Sequence, residues 1–491
     1  MNQSLTPYAD ALNAFSERDL VRIIVPGHGA EGGGVPEKLQ HFIESKPFHK
    51  DFTPLLTGLD KGAGNPLDQA KMLAAQAWNA RRVWFLTNGA SQGNRITALA
   101  LRGLGEHLLA QRSTHSSFVD GLVLSGLTPE FVLPSLDLQR GIAHGVSAAA
   151  VDQRLAELSE RPVAVYVISP SYFGAVANIE QIAEVVHRHG LPLIVDAAWG
   201  AHFGFSRSVP DNPINLGADL AISSTHKLGG SLTQSAMLHL AEGPYADQLE
   251  PLIDRAFGLT QSTSENTWLL ASLDIARHFL ANGEKRIDAS VEAAESLRRL
   301  VRETDYLELV EESFKAFPDI LTHDPLHVAI DVSGTGISGH ELKEYVANEH
   351  GVYFEASTHN SVVALIGAGA MPDAARIVQS IEHARVVLGR ETAPTANLAE
   401  LGIPIPAAGR RLMSPRDAFM KKHEIVPASE VAGRISADTL AAYPPGIPNL
   451  LPGEEITEET VKFLSAVAAS PGGFIRGAVN RNSTLYRVVS D

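Results

Sequence analysis

Cysteine is absent from the sequence, which removes disulfides, thiolate nucleophiles and thiolate zinc sites together and suits a cytoplasmic protein. Long apolar runs are missing too. No stretch approaches the ~18 consecutive residues of a membrane span, and MNQSLTPYADALNAF lacks the basic-then-apolar order of a signal peptide. Positive charge is in deficit: the net charge of -16 argues against nucleic acid, whose phosphates demand clustered Lys and Arg. Internal repeats and low-complexity tracts are lacking. No metal is expected, because His187 and His189, two apart on a helix, face different ways and read as solvated. What remains is an ordinary globular composition, 44% hydrophobic and 20% charged over 491 residues, enough for two to four domains.

From about residue 68 to 240, strand-like and helix-like segments alternate. Helices are expected at Asp68–Ala80, Asn94–Gln111 and Ile179–His189, and buried strands at Val83–Leu86, Val163–Ile168, Leu191–Val195 and Leu220–Ser223. That alternation predicts an α/β domain whose mainly parallel sheet is covered on both faces, with its chemistry at the carboxyl ends of the strands. Beyond residue 275 the pattern turns helical, with a strand at His327–Val332 and a helix at His340–His350. Residues 396–425 read as a connection, and YPPGIP (443–448) as an ordered loop. The division expected is an N-terminal segment (1–60), a large domain (61–290), a small α/β domain (291–395) and a C-terminal domain (396–491).

Three motifs compete. Gly89-Ala90-Ser91-Gln92-Gly93 fits the G-x-S-x-G nucleophile elbow, with Asp196 and His226 following in hydrolase order. The same residues also read as a Gly-rich turn offering backbone N–H groups to a phosphate. Gly334-Thr335-Gly336-Ile337-Ser338-Gly339 fits a dinucleotide fingerprint, but Glu355, 16 residues past its last glycine, is poorly placed as the ribose acid, and a tight turn accounts for it. The third signal is denser. Asp196 ends an apolar strand in LPLIVDAAWGAHFGF (191–205), and Lys227 follows another in GADLAISSTHKLGGSLTQSAMLH (217–239). An aldehyde cofactor needs a lysine for its Schiff base, a carboxylate against its pyridine nitrogen, and hydroxyls or N–H groups for its phosphate.

These segments resemble the Orn/Lys/Arg decarboxylases, enzymes of pyridoxal 5'-phosphate (PLP) and its fold type I, over nearly the whole chain. The lysine segment is similar to that family's, as are LTNGASQGN (86–94), QRSTHSSFVDGLVLSG (111–126), VAIDVSGTGISGHELKEYV (328–346), GRISADTLAAYPPGIPNLLPGE (433–454) and VPGHG (25–29). The resemblance implies that Lys227 is the Schiff-base lysine, that Asp196 pairs with the ring nitrogen and that His115 stacks on the ring. It further implies phosphate contacts from Ser91, Gln92 and Ser224 with His226 beside them, and places Ala198 and Trp199 at the cofactor. Thr263 and Ser264 match a stretch that in the family reaches a neighbouring subunit's phosphate, so a homodimer with active sites at its interface, or a larger assembly, is implied.

The implied activity is decarboxylation of lysine, ornithine or arginine, with His226 or Lys227 returning a proton to Cα. Several positions depart from the family: Ala90 replaces a threonine, Asp196-Ala197-Ala198-Trp199 replaces Asp-Glu-Ala-His, and Glu265-Asn266-Thr267 replaces Pro-Ser-Tyr. Gly29 stands for a lysine, and 58–69 lacks a His-Pro-Glu-Gly element. Such changes around retained cofactor residues leave room for altered chemistry on a basic amino acid, an oxidase, lyase or cyclising enzyme. A hydrolase using Ser91 and a catalytically silent PLP-binding protein are the remaining readings.

Overall fold

The computed structural model describes residues 2–30, 34–43, 46–390, 406–443, 448–469 and 474–490. Seven short strands form the main sheet: β1 (Arg82–Leu86), β2 (His107–Gln111), β3 (Thr128–Val132), β4 (Val165–Ile168), β5 (Leu193–Asp196), β6 (Leu220–Ser223) and β7 (Ala236–Leu240). Their order is β1-β7-β6-β5-β4-β2-β3. Neighbours from β6 to β3 run parallel, whereas β7 is antiparallel to both β6 and β1. The central strands are buried along their whole length, as a sheet covered on both faces requires. Alternation divides them between two cores: Trp84 and Leu86 pack on one face with Ile96, Phe118 and Ile222, while Val83 and Phe85 pack on the other with Leu67, Trp78 and Met237.

The single helix expected over 94–111 is a helix at Gly89–Arg102 followed by β2. The amide of Gly103 closes on Ala100 O and that of Leu104 on Leu101 O, ending the helix in tight turns. The chain then re-enters the sheet as the apolar run His107–Gln111, all but its first residue buried. The other expected elements stand within two or three residues of their positions.

The second glycine of the elbow-like motif serves packing. A Cβ on Gly93 would lie 2.9 Å from Ile222 Cγ2 and 3.1 Å from Leu86 Cδ1, so the glycine lets the helix Gly89–Arg102 lie directly on β1 and β6. In the other glycine motif, a Cβ on Gly339 would meet the carbonyls of Ser361 and Thr358, and Ser338 and Glu341 form a capping box. The strand before it, His327–Asp331, belongs to an antiparallel four-stranded sheet, which makes the motif a helix entry and not a dinucleotide turn.

That small sheet and the helices Glu284–Arg302, Gly339–His350 and Ala374–Leu388 enclose their own core, into which Trp199 and Leu228 of the large domain are inserted. The N-terminal helix Pro7–Ser16 packs through Tyr8 and Leu12 into the large-domain core beside Leu67, Trp78 and Leu273. Within 396–425, a helix at Pro415–Met420 and the start of a strand at His423–Pro427 interrupt the expected connection; its first ten residues, like most of the YPPGIP loop, lie outside the described residues.

The C-terminal region is fastened to the large domain just ahead of the loop that carries His115. Arg112, 2% exposed, makes a two-pronged pair with Glu454 at 2.6 and 2.8 Å and donates Nε–H to the carbonyl of Pro448 at 2.9 Å. Removing one member of such a pair leaves a buried charge without compensation. Glu454→Gln is expected to lower unfolding free energy by about 3–5 kcal/mol, measured by denaturant titration; a change below ~1 kcal/mol would mean the pair is solvated in solution.

Candidate active site

The carboxyl ends of β5 and β6, and the segments that follow β1 and β2, bring polar side chains to one edge of the sheet. Asp196 ends β5, 3% exposed. Its Oδ2 accepts from Tyr166 Oη at 2.8 Å and Asn94 Nδ2 at 3.1 Å, and its Oδ1 from the amide of Ala198 at 3.1 Å. Lys227 follows β6 in the short helix Thr225–Leu228. Its Nζ lies 3.5 Å from the ring centroid of Trp199, a cation–π contact. Among the described residues its ammonium has no hydrogen-bond or ion-pair partner. Burial brings its ammonium down to about 8, against the opposing pull of Asp196 and Glu355.

His115 caps the helix Ser116–Ser125. Its Nδ1 accepts from Ser117 Oγ at 2.8 Å and from the Ser117 amide at 3.2 Å, which leaves the ring proton on Nε2. Burial lowers its pKa, only partly offset by Asp196, so the imidazole is neutral. His226 shares Nδ1–H with the carbonyl of Ser235 at 2.8 Å.

These side chains face a single cavity of about 360 Å³, whose walls include Ser91, Asn94, His115, Asp196, Trp199 and Lys227. That volume falls within the range of small-molecule sites. Ala198, Ser224 and His226 also border it. Gln92 and Thr263 stand elsewhere. The amide of Gln92 is buried and binds Gln261 Oε1 at 2.7 Å and the Asn88 N–H at 3.2 Å, bracing the loop from behind. Thr263 and Ser264 are exposed, between the helices Ala246–Thr260 and Thr267–Ala281. Ser91 opens on the cavity without a hydrogen bond to His226, and Asp196 is engaged by Tyr166, Asn94 and Ala198. The Ser…Asp…His order is therefore not a hydrolase relay.

Four participants escape a reading of the sequence: Asn94, Tyr166 and Ser117, which surround Asp196 and His115, and Glu355. Asn94 lies three residues from Ser91, one helical turn on the same face. That spacing was the available signal. Away from the site, His187 is exposed and His189 half-buried, and each pairs with a separate aspartate, Asp219 at 2.9 Å and Asp152 at 2.8 Å. Among the described residues no cluster of three metal-ligating side chains occurs, and no described helix is long and apolar enough to cross a membrane.

The sequence profile of the Orn/Lys/Arg decarboxylase major domain matches residues 6–373, and that of its C-terminal domain matches 407–474. The chain belongs to the Orn/Lys/Arg decarboxylase family. It is 31% identical to the arginine decarboxylase of Bacillus subtilis over 475 residues, covering 94% of each chain. It is 22% identical to the inducible lysine decarboxylase of Escherichia coli, covering 99% of this chain and 81% of that one. In fold it matches lysine decarboxylase A from Pseudomonas aeruginosa with a TM-score of 0.83 at 20% identity, over 99% of this chain and 81% of that one.

Enzymes of the Orn/Lys/Arg decarboxylase family use PLP, and the residues present suit that group. A buried carboxylate with an unfilled acceptor site, a lysine amine with a depressed pKa and the first turn of the helix Gly89–Arg102 open on one cavity. They provide for a ring nitrogen, an aldehyde and a phosphate respectively.

Proposed function

We propose that this chain is a PLP-dependent decarboxylase of arginine, within the basic amino-acid decarboxylase activity of its family. One observation carries the reading: Lys227 and Asp196, from successive strands, share a cavity with the neutral ring of His115. The higher identity to an arginine decarboxylase than to a lysine decarboxylase favours arginine. Bound here, PLP would supply the electrophilic carbon and the ring that takes up the electron pair released as the α-carboxylate leaves.

The chain's own residues do the rest. Asp196 would hold a proton on the ring nitrogen, and His115 would serve the ring face. The N–H groups that open the helix Gly89–Arg102, with the hydroxyls of Ser91 and Ser224, would receive the phosphate. Lys227, near pKa 8, can exist as amine or ammonium at neutral pH, so it can both bind an aldehyde and return a proton to Cα. His226 has its Nδ1–H engaged with a carbonyl, so it can give up a proton from Nε2 only when doubly protonated. Lys227 is the better donor.

Substrate charge is met by Glu355. Its carboxylate is exposed, yet close enough to favour the ammonium form of Lys227. It adjoins Ala356 in the wall of a side cavity of about 130 Å³ that shares Ile168 and Tyr172 with the main one. No carboxylate lines that side cavity among the described residues, so a distal cation turns to Glu355. Cytoplasmic placement is proposed on the cysteine-free composition. A second copy is proposed to cover Val21 and Ile23, 90% and 91% exposed, and to meet the exposed Thr263.

Glu355→Gln is expected to raise KM for arginine about tenfold, the scale of one charge-assisted contact, with little change in kcat. The test compares arginine, lysine and ornithine by product mass in wild type and variant. Arginine should be favoured by the wild type. An unchanged KM would remove Glu355 from recognition, and preferred turnover of lysine would overturn the choice of arginine.

A further inference from the structure

We infer that Tyr166 and Asn94 are positioning residues that leave Asp196 a single open acceptor, on Oδ1, and through Ser117 lock His115 in its Nε2–H form. The inference rests on the reading that Asp196 and His115 serve a bound PLP ring.

A carboxylate offers about four acceptor sites. Two on Oδ2 are occupied by Tyr166 and Asn94, and one on Oδ1 by the amide of Ala198. The site that remains is on Oδ1, and Asp196 borders the cavity, so this is the oxygen left for a ring N–H.

The orientation of Asn94 is dictated by its neighbours. Its Nδ2 lies 3.1 Å from Asp196 Oδ2 and 3.0 Å from Ser117 Oγ, while its Oδ1 lies 2.8 Å from Tyr166 Oη. A carboxylate only accepts, so the amide nitrogen must face it. Tyr166 has one proton and two acceptors at 2.8 Å, Asn94 Oδ1 and Asp196 Oδ2; the carboxylate draws it more strongly. Burial, reinforced by Asp196, keeps that phenol protonated. Phe118 stacks on its ring at 3.7 Å and 19°, so the hydroxyl cannot swing away.

The other branch reaches the ring-face histidine. Ser117 Oγ receives the second N–H of Asn94, which turns its own proton toward His115 Nδ1 at 2.8 Å. With the Ser117 amide on the same nitrogen, Nδ1 cannot carry a proton. The carboxylate of Asp196 and the imidazole of His115 are thus joined through Asn94 and Ser117, and neither can turn without disturbing the other.

The test compares Tyr166→Phe with Phe85→Leu, a buried change on the opposite face of the sheet that controls for lost stability. Three quantities are read on PLP-loaded protein: PLP affinity, the induced circular dichroism of the bound chromophore, and kcat against KM for arginine. Borohydride reduction and peptide mapping of the wild type first locate the cofactor. Tyr166→Phe should weaken PLP binding roughly tenfold, alter the induced signal and lower kcat with KM nearly unchanged. Phe85→Leu should lower thermal stability while leaving the induced signal as in wild type. A Tyr166→Phe variant matching Phe85→Leu in all three, with the wild type labelled on Lys227, would overturn the positioning role alone. A wild type that carries no label on Lys227 would overturn the PLP reading and this inference together.

Discussion

Lys227→Ala is expected to abolish decarboxylation, lowering kcat by on the order of 10³-fold or more, the scale of deleting a group that takes part in the reaction. The reason is double. On the proposed function, the amine whose pKa burial has brought to about 8 is the attachment point for an aldehyde, and the same nitrogen is the better proton source for Cα. Removing it takes away both functions, and with them the visible absorption of a lysine-bound chromophore. Folding should survive, because the side chain is held by packing on Trp199 and not by a buried ion pair. The measurement is steady-state amine production alongside an absorption spectrum of PLP-incubated protein. Residual activity within tenfold of wild type would assign the chemistry to another residue.

Asp196→Asn should come next in severity. An amide of the same shape preserves packing at the end of β5 but cannot hold a proton on a pyridine nitrogen, so the ring loses its capacity to accept electrons. Losing a preorganised electrostatic group costs on the order of 10²–10³-fold in kcat. The asparagine would also set its NH2 against the N–H of Asn94 or against that of Ala198, according to which oxygen it replaces, so PLP affinity should fall as well. Single-turnover rates at saturating PLP separate the two effects. An unchanged rate under those conditions would mean that the ring nitrogen needs no anionic partner here.

What the sequence makes legible is what lies close together along it. Lys227 and Asp196 each follow an apolar strand in polar, glycine-rich surroundings, and the strand-end rule for α/β sheets brings both to one edge. The glycine motifs are ambiguous in sequence because one spelling serves several physical needs. Gly93 answers to the approach of Ile222 and Gly339 to neighbouring carbonyls, and neither need can be read without the tertiary partner. Tyr166 is hidden for a related reason. Within VAVYVI it looks like one more strand aromatic, and only the pleat, which turns it toward the helix Gly89–Arg102, reveals a hydroxyl aimed at Asp196. Glu355 reads in sequence only as a misplaced ribose acid, because its electrostatic partner Lys227 lies 128 positions earlier. Gln92, next to Ser91, is turned away from the cavity because successive helical residues do not share a face. The extended helix expected over 94–111 failed at Gly103–Gly105, where an apolar run fits a helix and a buried strand equally well.

The central claim, that this chain removes the α-carboxylate of a basic amino acid and reprotonates the same carbon, is tested most directly by one labelling experiment. PLP-loaded protein is incubated in deuterium oxide with arginine carrying carbon-13 in its carboxyl group, and gas and solution are analysed by mass spectrometry. The account predicts carbon-13 dioxide in step with an amine bearing one deuterium on the carbon that lost the carboxylate. A keto acid, a cyclised or dehydrated product that keeps the label, or an absence of labelled carbon dioxide would contradict it.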